Sequence, residues 1–312
     1  MGIDRNYNIA CVVVTYNRKK LLKRCIDAIA AQSFKPTTVF IVDNASTDGT
    51  IESVKEWGYY NCERDSIVYK YILNSKNEGG AGGFYLGMKT AYDDNNYDGI
   101  WVMDDDGEPD KNCLSELVPY LDKYHYVAPI VLSDEDHITC SFAPNFENAE
   151  SFANMKGVKD GIIEDWASPF NAVLFSRALI SRVGFPKKEM FIWGDEVNYH
   201  LRAKQKGFIA YTIMKAIHYH PLNRQEYGLY LGKILVTNIR EDWKVYCYVR
   251  NHIYNLWRLE SSFPYNFYRF VREAISIIAY YHNKKGKSIS LLTSAVFAGL
   301  IGNFDGLNNY LK

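Results

Sequence analysis

Four short apolar runs, each closed by polar residues and followed by a helix-spaced segment, restrict this chain to a layered α/β fold. They are Ile9–Thr15, 39–42 closed by Asp43-Asn44, Ile67–Leu73 closed by Asn74, and 100–103 closed by Asp104-Asp105-Asp106. Short runs rich in β-branched residues are what a sheet covered on both faces requires. After the first run, Leu21, Leu22, Cys25, Ile26 and Ile29 recur at helical spacing, with Lys19, Lys20, Lys23 and Arg24 on the opposite face. Ser46-Thr47-Asp48 offers an N-cap for a short helix through Trp57. A glycine-rich loop, Gly79-Gly80-Ala81-Gly82-Gly83, is expected to open a helix over 84–93. Strand and helix alternating at this pitch give a Rossmann-like, mostly parallel sheet flanked by helices, with right-handed crossovers.

Beyond the fourth run the pattern changes. Residues 133–165 are polar and irregular, 194–207 read as a helix, and 208–213 as a strand leading to His218-Tyr219-His220. From 242 onward the periodicity is helical and aromatic, through Trp243, Tyr246, Tyr248, Tyr254 and Trp257, with further helices expected at 264–283 and 288–301. The expected organisation is a sheet-forming domain over 1–235 and a helical C-terminal region over 236–312.

Charge sharpens that division. The 312 residues carry no formal net charge, but from Lys215 onward 13 Lys and Arg stand against 6 Asp and Glu. The C-terminal third is therefore basic, by +7, which suits an anionic membrane surface, a polyanionic substrate or simply a solvated helical face. No nucleic-acid partner is expected. The first residues lack a basic-then-apolar signal, and no apolar run reaches the ~18 residues that span a bilayer. The six cysteines are scattered without a Cys-x-x-Cys pair, as in a reducing compartment. The expected place is the cytoplasm, with peripheral contact at the inner membrane face.

Chemistry concentrates where the strands end, because ligands of open α/β sheets sit beyond the carboxyl ends. Three adjacent acids at the tip of the fourth strand repel one another unless a cation neutralises them. Asp104 and Asp106, at i and i+2, can converge on one hard divalent ion, Mn²⁺ or Mg²⁺ in type; a solvated acidic turn is the plainer alternative. The glycine run either cradles phosphate through its N–H groups or is a flexible turn. Asp43 could accept from a ribose or base, or merely cap a helix. Asp195-Glu196, behind Trp193, are candidates for acid–base work, or two acids in a helix's first turn. His218 and His220, two apart on a strand, face one side, and one could complete a metal shell with Asp104 and Asp106; ordinary polar packing is the alternative. Trp166 and Trp193 offer broad apolar faces to a ligand or pack in the core.

Taken together and in order, these stretches resemble the family 2 glycosyltransferases, inverting enzymes of the GT-A fold. The carriers are Val13-Val14-Thr15-Tyr16-Asn17-Arg18, the run from Val42-Asp43-Asn44 to Thr50, Asn77 through Phe84, Trp101 through Asp106, and Phe191 through Glu196 to Arg202. The resemblance covers residues 8 to 255. The glycine run, the triple Asp and the Arg250-Asn251 segment are similar to bacterial galactofuranosyltransferases. It implies a catalytic GT-A domain over 1–235 and an acceptor or membrane contact over 236–312. Thr15, Tyr16, Asn17, Arg18, Asp43, Asn44, Asn77, Gly80 and Ala81 would hold the nucleotide. Asp104, Asp106 and His220 would bind Mn²⁺ or Mg²⁺, with Asp104 and Asp105 also beside the donor sugar. Glu196 would be the general base, supported by Asp195, although the related enzymes usually carry Asp-Asp there. Trp166 and Trp193 would meet the acceptor. The implied reaction moves galactofuranose from UDP-galactofuranose to a lipid-linked glycan in bacterial surface-polysaccharide assembly. The rivals are a rhamnosyltransferase using dTDP-rhamnose and a non-catalytic sugar-nucleotide-binding protein. A nucleotidyltransferase would want a G-x-G-x-R-like loop where Thr15-Tyr16-Asn17 stands.

Overall fold

A computed structural model describes residues 6–144, 158–168, 170–222, 241–259 and 285–310, with residues 152, 155 and 271 and the backbone of 227–230 and 234–237. Its contacts divide the chain into two compact units, Met1–Lys188 with Ala203–Asn223, and Glu189–Arg202 with Arg224–Lys312. In this partition 189–202 group with the C-terminal residues.

The first unit is built on a mixed sheet of ten strands: β1 (Ile9–Thr15), β2 (Thr38–Asp43), β3 (Cys62–Arg64), β4 (Ile67–Leu73), β5 (Gly99–Asp104), β6 (Glu108–Pro109), β7 (Tyr126–Ser133), β8 (Ile162–Glu164), β9 (Val173–Ser176) and β10 (Tyr211–His220). The order is β3-β4-β2-β1-β5-β9-β7-β10-β6, with β8 also on β10. Strands β4, β2, β1 and β5 run parallel, as do β7 and β10, while β9 runs antiparallel to both β5 and β7. Strands β1 and β2 are buried throughout because helices cover both faces. Helix α1 (Lys19–Ala30) buries Leu22, Cys25, Ile26 and Ile29, the apolar face its spacing predicts.

Two local readings change. Helix α2 (Thr50–Glu56) is preceded by Gly49 at φ 84°, a left-handed conformation open to glycine, and has no side-chain cap. Asp48 instead accepts from Thr50 Oγ1 at 2.5 Å. The glycine run is not a loop: it forms the first turns of α3 (Gly79–Asp93). A β-carbon on Gly83 would run into Val14, and one on Gly87 into Val12, so these glycines let the helix lie close on the sheet.

Register sets the site. Thr15 pairs with Asp43 and Val14 with Asp104, so β1, β2 and β5 end in step. The chain then turns through Asp105, Asp106 and Gly107 into β6, whose Glu108 and Pro109 pair with Tyr219 and His218 of β10. That short return brings the acids of β5 to the end of β10. The expected strand at 208–213 is in fact this longer β10, and Phe208 precedes it, buried, edge-on to His125.

In the second unit, α8 (Asp242–Leu259) packs Val245, Tyr246, Val249 and Ile253 against Leu291, Leu292, Ala295 and Ala298 of α9 (Lys285–Ile301). The helix α7 (Asp195–Gln205) begins in this unit. The helix expected at 264–283 lies outside the described residues, apart from position 271. Among those described, no helix is long and apolar enough to cross a membrane.

Candidate active site

Asp105 is buried and accepts from Thr15 Oγ1 at 2.6 Å, with Arg18 Nη1 at 3.4 Å from its other oxygen. Burial pushes its carboxyl up to about 7, against the pull of Thr15 and Arg18. The same Arg18 nitrogen lies 2.7 Å from Asp106 Oδ2. Asp106 Oδ1 stands 3.3 Å from His220 Nε2, and among the described residues this buried oxygen has no aligned hydrogen bond. Burial resists ionisation of Asp106, but His220 and Arg18 outweigh it and hold the carboxyl below its usual range. Burial likewise lowers His220, and Asp106 reverses this to raise it. His220 Nδ1 lies 2.7 Å from the Pro221 carbonyl, which only accepts, so Nδ1 carries a proton. In the neutral ring the lone pair therefore sits on Nε2, toward Asp106, the arrangement that fits an imidazole for metal binding.

His218 is different. Fully buried, it is pushed down to about 3 by desolvation, so the ring is neutral. Among the described residues neither ring nitrogen has a hydrogen-bond partner, and the ring presses on Gly107, where a β-carbon would run into it. Asp104 ends β5 half-buried, its carbonyl accepting from Cys25 Sγ at 3.7 Å. Among the described residues no three His, Cys, Asp or Glu side chains already enclose a metal position. Asp106 and His220 nonetheless form an oxygen–imidazole pair that suits a divalent ion completing its shell with phosphate and water.

The loops after β1 and β2 are tied together. Asn17, at φ 55°, takes a hydrogen bond from Thr47 N at 2.7 Å on Oδ1 and gives its own N–H to Ser46 Oγ at 2.9 Å. Asp43 is buried, accepting from Ser46 N on Oδ1 at 2.7 Å and from the Tyr71 hydroxyl on Oδ2. Tyr71 belongs to no motif; its signal in the sequence is an inward aromatic in the alternation of β4, opposite Ile41. Tyr16 is 42% exposed at the tip of β1. Asn77 Oδ1 accepts from Gly79 N at 2.8 Å, fixing the start of α3. The Asn44 side chain donates to Gly79 O at 2.8 Å and accepts from Asn74 at 3.2 Å, and Ala81 is fully buried. Gly80 has open space where a side chain would stand.

Asp195 and Glu196 belong to the second unit. They follow a turn in which Phe191 (φ 68°), Trp193 (φ 58°) and Gly194 (φ 92°) are left-handed, a cost of about 1–3 kcal/mol for each non-glycine residue. Helix α8 holds this turn. Asn251 Nδ2 donates to the carbonyls of Met190 (2.9 Å), Ile192 (3.0 Å) and Trp193 (2.7 Å), and Asn255 Nδ2 to that of Gly194 (2.8 Å). The Gly194 N–H donates to Glu196 Oε2 at 3.0 Å. Asp195 is buried, whereas Glu196 is half-buried and reachable by solvent. Trp193, 36% exposed, meets Tyr248 edge-on. Trp166 is half-buried in the first unit against Ile130, Leu132, Met155 and Ile163, so packing accounts for much of its surface.

The family model described as glycosyl transferase family 2 matches residues 10–177. The galactofuranosyltransferase GlfT1 of Mycolicibacterium smegmatis is 30% identical over 243 residues, covering 75% of this chain and 78% of the relative. The GalNAc(5)-diNAcBac-PP-undecaprenol beta-1,3-glucosyltransferase of Campylobacter jejuni is 24% identical over 247 residues, 75% of this chain and 74% of that one. The mannosyltransferase PcManGT from Pyrobaculum calidifontis, solved in complex with GDP-Man and Mn²⁺, superposes with a TM-score of 0.55 at 16% identity. That match covers 97% of this chain and 88% of the other, and shows a shared GT-A fold.

Proposed function

Since the chain belongs to glycosyl transferase family 2 and is a glycosyltransferase, we propose that it transfers galactofuranose, with inversion and divalent-metal dependence, from UDP-galactofuranose to a lipid-linked glycan of a bacterial surface polysaccharide. The observation that carries metal dependence is Asp106 Oδ1 beside His220 Nε2 at 3.3 Å, buried at the carboxyl edge of the sheet without an aligned hydrogen bond among the described residues. Mn²⁺ or Mg²⁺ bound there supplies positive charge against the departing diphosphate. Arg18, half-exposed on the same acids, is within reach of phosphate oxygens and adds a second cation. Thr15 holds Asp105 in place, Asn17 and Asn77 set the loops around the nucleotide, and Asp43, oriented by Tyr71, meets the base or ribose. Galactofuranose is supported by what the Mycolicibacterium relative is named for.

Glu196 takes the proton of the acceptor hydroxyl as that oxygen attacks the anomeric carbon, and the nucleotide leaves from the opposite face. Its hydrogen bond from Gly194 N–H leaves the second carboxylate oxygen for this task. Asp195 supports the pair, and Trp193 offers the acceptor sugar an indole face. A lipid-linked acceptor is supported by the undecaprenol in the Campylobacter relative's name and by the basic residues of 236–312, which would face an anionic membrane.

The test is a thermal-shift series with UDP, dTDP, GDP and NAD, each with and without Mn²⁺, followed by transfer from UDP-galactofuranose. A ligand at a hundred times its Kd stabilises by about 2.7 kcal/mol. Stabilisation by UDP only with Mn²⁺, and galactofuranosyl transfer, is the expected result. A dTDP preference would move the donor to dTDP-rhamnose, and no nucleotide response would remove the site. Cosedimentation with anionic liposomes checks the membrane contact, and failure to bind them removes it.

A further inference from the structure

The turn that presents Asp195 and Glu196 carries its own backbone hydrogen bond, from Ile192 N–H to Met190 O at 2.8 Å, and is bonded further by side chains from α8. Phe191, Trp193 and Gly194 are all left-handed, and the carbonyls of Met190, Ile192, Trp193 and Gly194 each receive a side-chain hydrogen bond from α8. Three residues of α8 are the donors. Asn251, fully buried, reaches three carbonyls with one amide group; Asn255, one turn on, takes the fourth. Arg250, fully buried too, donates to Met190 O at 2.9 Å, to Phe304 O at 3.2 Å and to Asn251 Oδ1 at 3.0 Å, which aims the Asn251 amide at the turn. Among the described residues no carboxylate pairs with this guanidinium; carbonyls and the rings of Phe304 and Tyr246 surround it. Asn255 Oδ1 also accepts from Asn198 Nδ2 at 2.9 Å, so the same residue grips α7 one turn beyond Asp195.

A buried cation and two buried amides cost stability unless their bonds are all made, and apolar side chains would fill the same space more cheaply. Five of the eight hydrogen bonds named above go to the four carbonyls just ahead of the acid pair. We infer that Asn251 and Asn255, braced by Arg250, are positioning residues that fix the Asp195–Glu196 carboxylates for proton removal from the acceptor. The inference rests on the proposed role of that pair. It adds that α8, not α7 itself, sets where the carboxylates stand.

The experiment is a double-mutant cycle on the full-length enzyme. Rates are measured for Asn251→Ala and Asn255→Ala, alone and combined with Glu196→Gln and with Asp195→Asn, together with donor KM and the Mn²⁺-dependent UDP thermal shift. A carboxylate displaced by about 1 Å costs on the order of a hundredfold in rate. Asn251→Ala should therefore lower kcat by about that factor, with donor KM within about twofold and the UDP shift retained. In the background that has lost the base, adding Asn251→Ala should cost no more than about twofold further, because nothing is left to position. A merely structural role slows both backgrounds by the same factor, and that result overturns the inference, as does a near-normal kcat for Asn251→Ala. If Glu196→Gln alone keeps the wild-type rate, the base assignment is wrong; the Asp195→Asn arm then decides the positioning role separately.

Discussion

Alanine at Gly87 and at Gly80 should move stability in opposite directions, although both glycines lie in α3. In a helix interior alanine is favoured over glycine by about 1 kcal/mol. At Gly80 nothing stands within 4 Å of the added β-carbon, so Gly80→Ala should gain about 0.5–1 kcal/mol. At Gly87 the β-carbon would run into Val12 Cγ1 and lie 2.9 Å from Val42 Cγ2. Both valines are fully buried on adjacent central strands and stiff at χ1, so neither can turn aside. Two collisions place the overpacking cost near the top of its usual range, about 3 kcal/mol; less the propensity gain, Gly87→Ala should lose about 2 kcal/mol. For a unit of this size that is a fall of about 4–8 °C in Tm. The assay is thermal unfolding and urea titration by circular dichroism, with the urea slope expected to stay constant. A Gly87→Ala protein as stable as wild type would refute the close helix–sheet packing and return the glycine run to a ligand loop. Gly80→Ala should also weaken the Mn²⁺-dependent UDP shift, if the open face of Gly80 is where the donor lies.

The remaining expectations concern chemistry. Glu196→Gln should lower transfer by about 10²–10⁴-fold while sparing the UDP shift, read by coupled release of nucleotide; near-normal turnover moves the base to Asp195. Asp106→Ala should abolish the Mn²⁺-dependent part of the UDP shift, and an unchanged metal dependence would take Asp106 out of the site. His220→Ala should weaken Mn²⁺ in the same titration more than His218→Ala, whose ring is neutral and wedged on Gly107; the reverse order would exchange their roles. Tyr71→Phe removes the hydroxyl that Asp43 accepts and should cost about 1.5–3 kcal/mol of stability together with some UDP affinity, measured by the same melts.

How much of this was legible depends on what kind of interaction places each residue. Strands β1, β2 and β5 announced themselves because burial on both faces leaves a continuous apolar run, and β4 through its alternation, with Ile67, Tyr69 and Tyr71 inward; the ends of β2 and β5 gave the acids. Strands β3, β6, β8 and β9 are two to four residues long. Pairing, not local propensity, makes them strands, so no window of sequence shows them. The Asp106–His220 pair was readable as residue types, but its contact is made by β6 returning to β10, a tertiary event. The glycine run misled because glycine is read as loop by propensity; here close approach to Val12 and Val14 overrides that cost.

The α8 residues show the opposite failure. Asparagine inside a helix reads as a weak helix former on a solvated face. Yet Val245, Tyr246, Val249 and Ile253 set the buried face of α8, and Arg250, Asn251 and Asn255 fall among the buried residues of that helix. A buried stripe does not tolerate three strongly polar residues unless something outside the helix accepts from them. Their partners are carbonyls, which every residue carries, so no partner residue type could be looked for in the sequence. The interruption of the stripe was the available signal: it said that α8 spends bonds on backbone elsewhere, and the left-handed turn before Asp195 is the backbone that needs them.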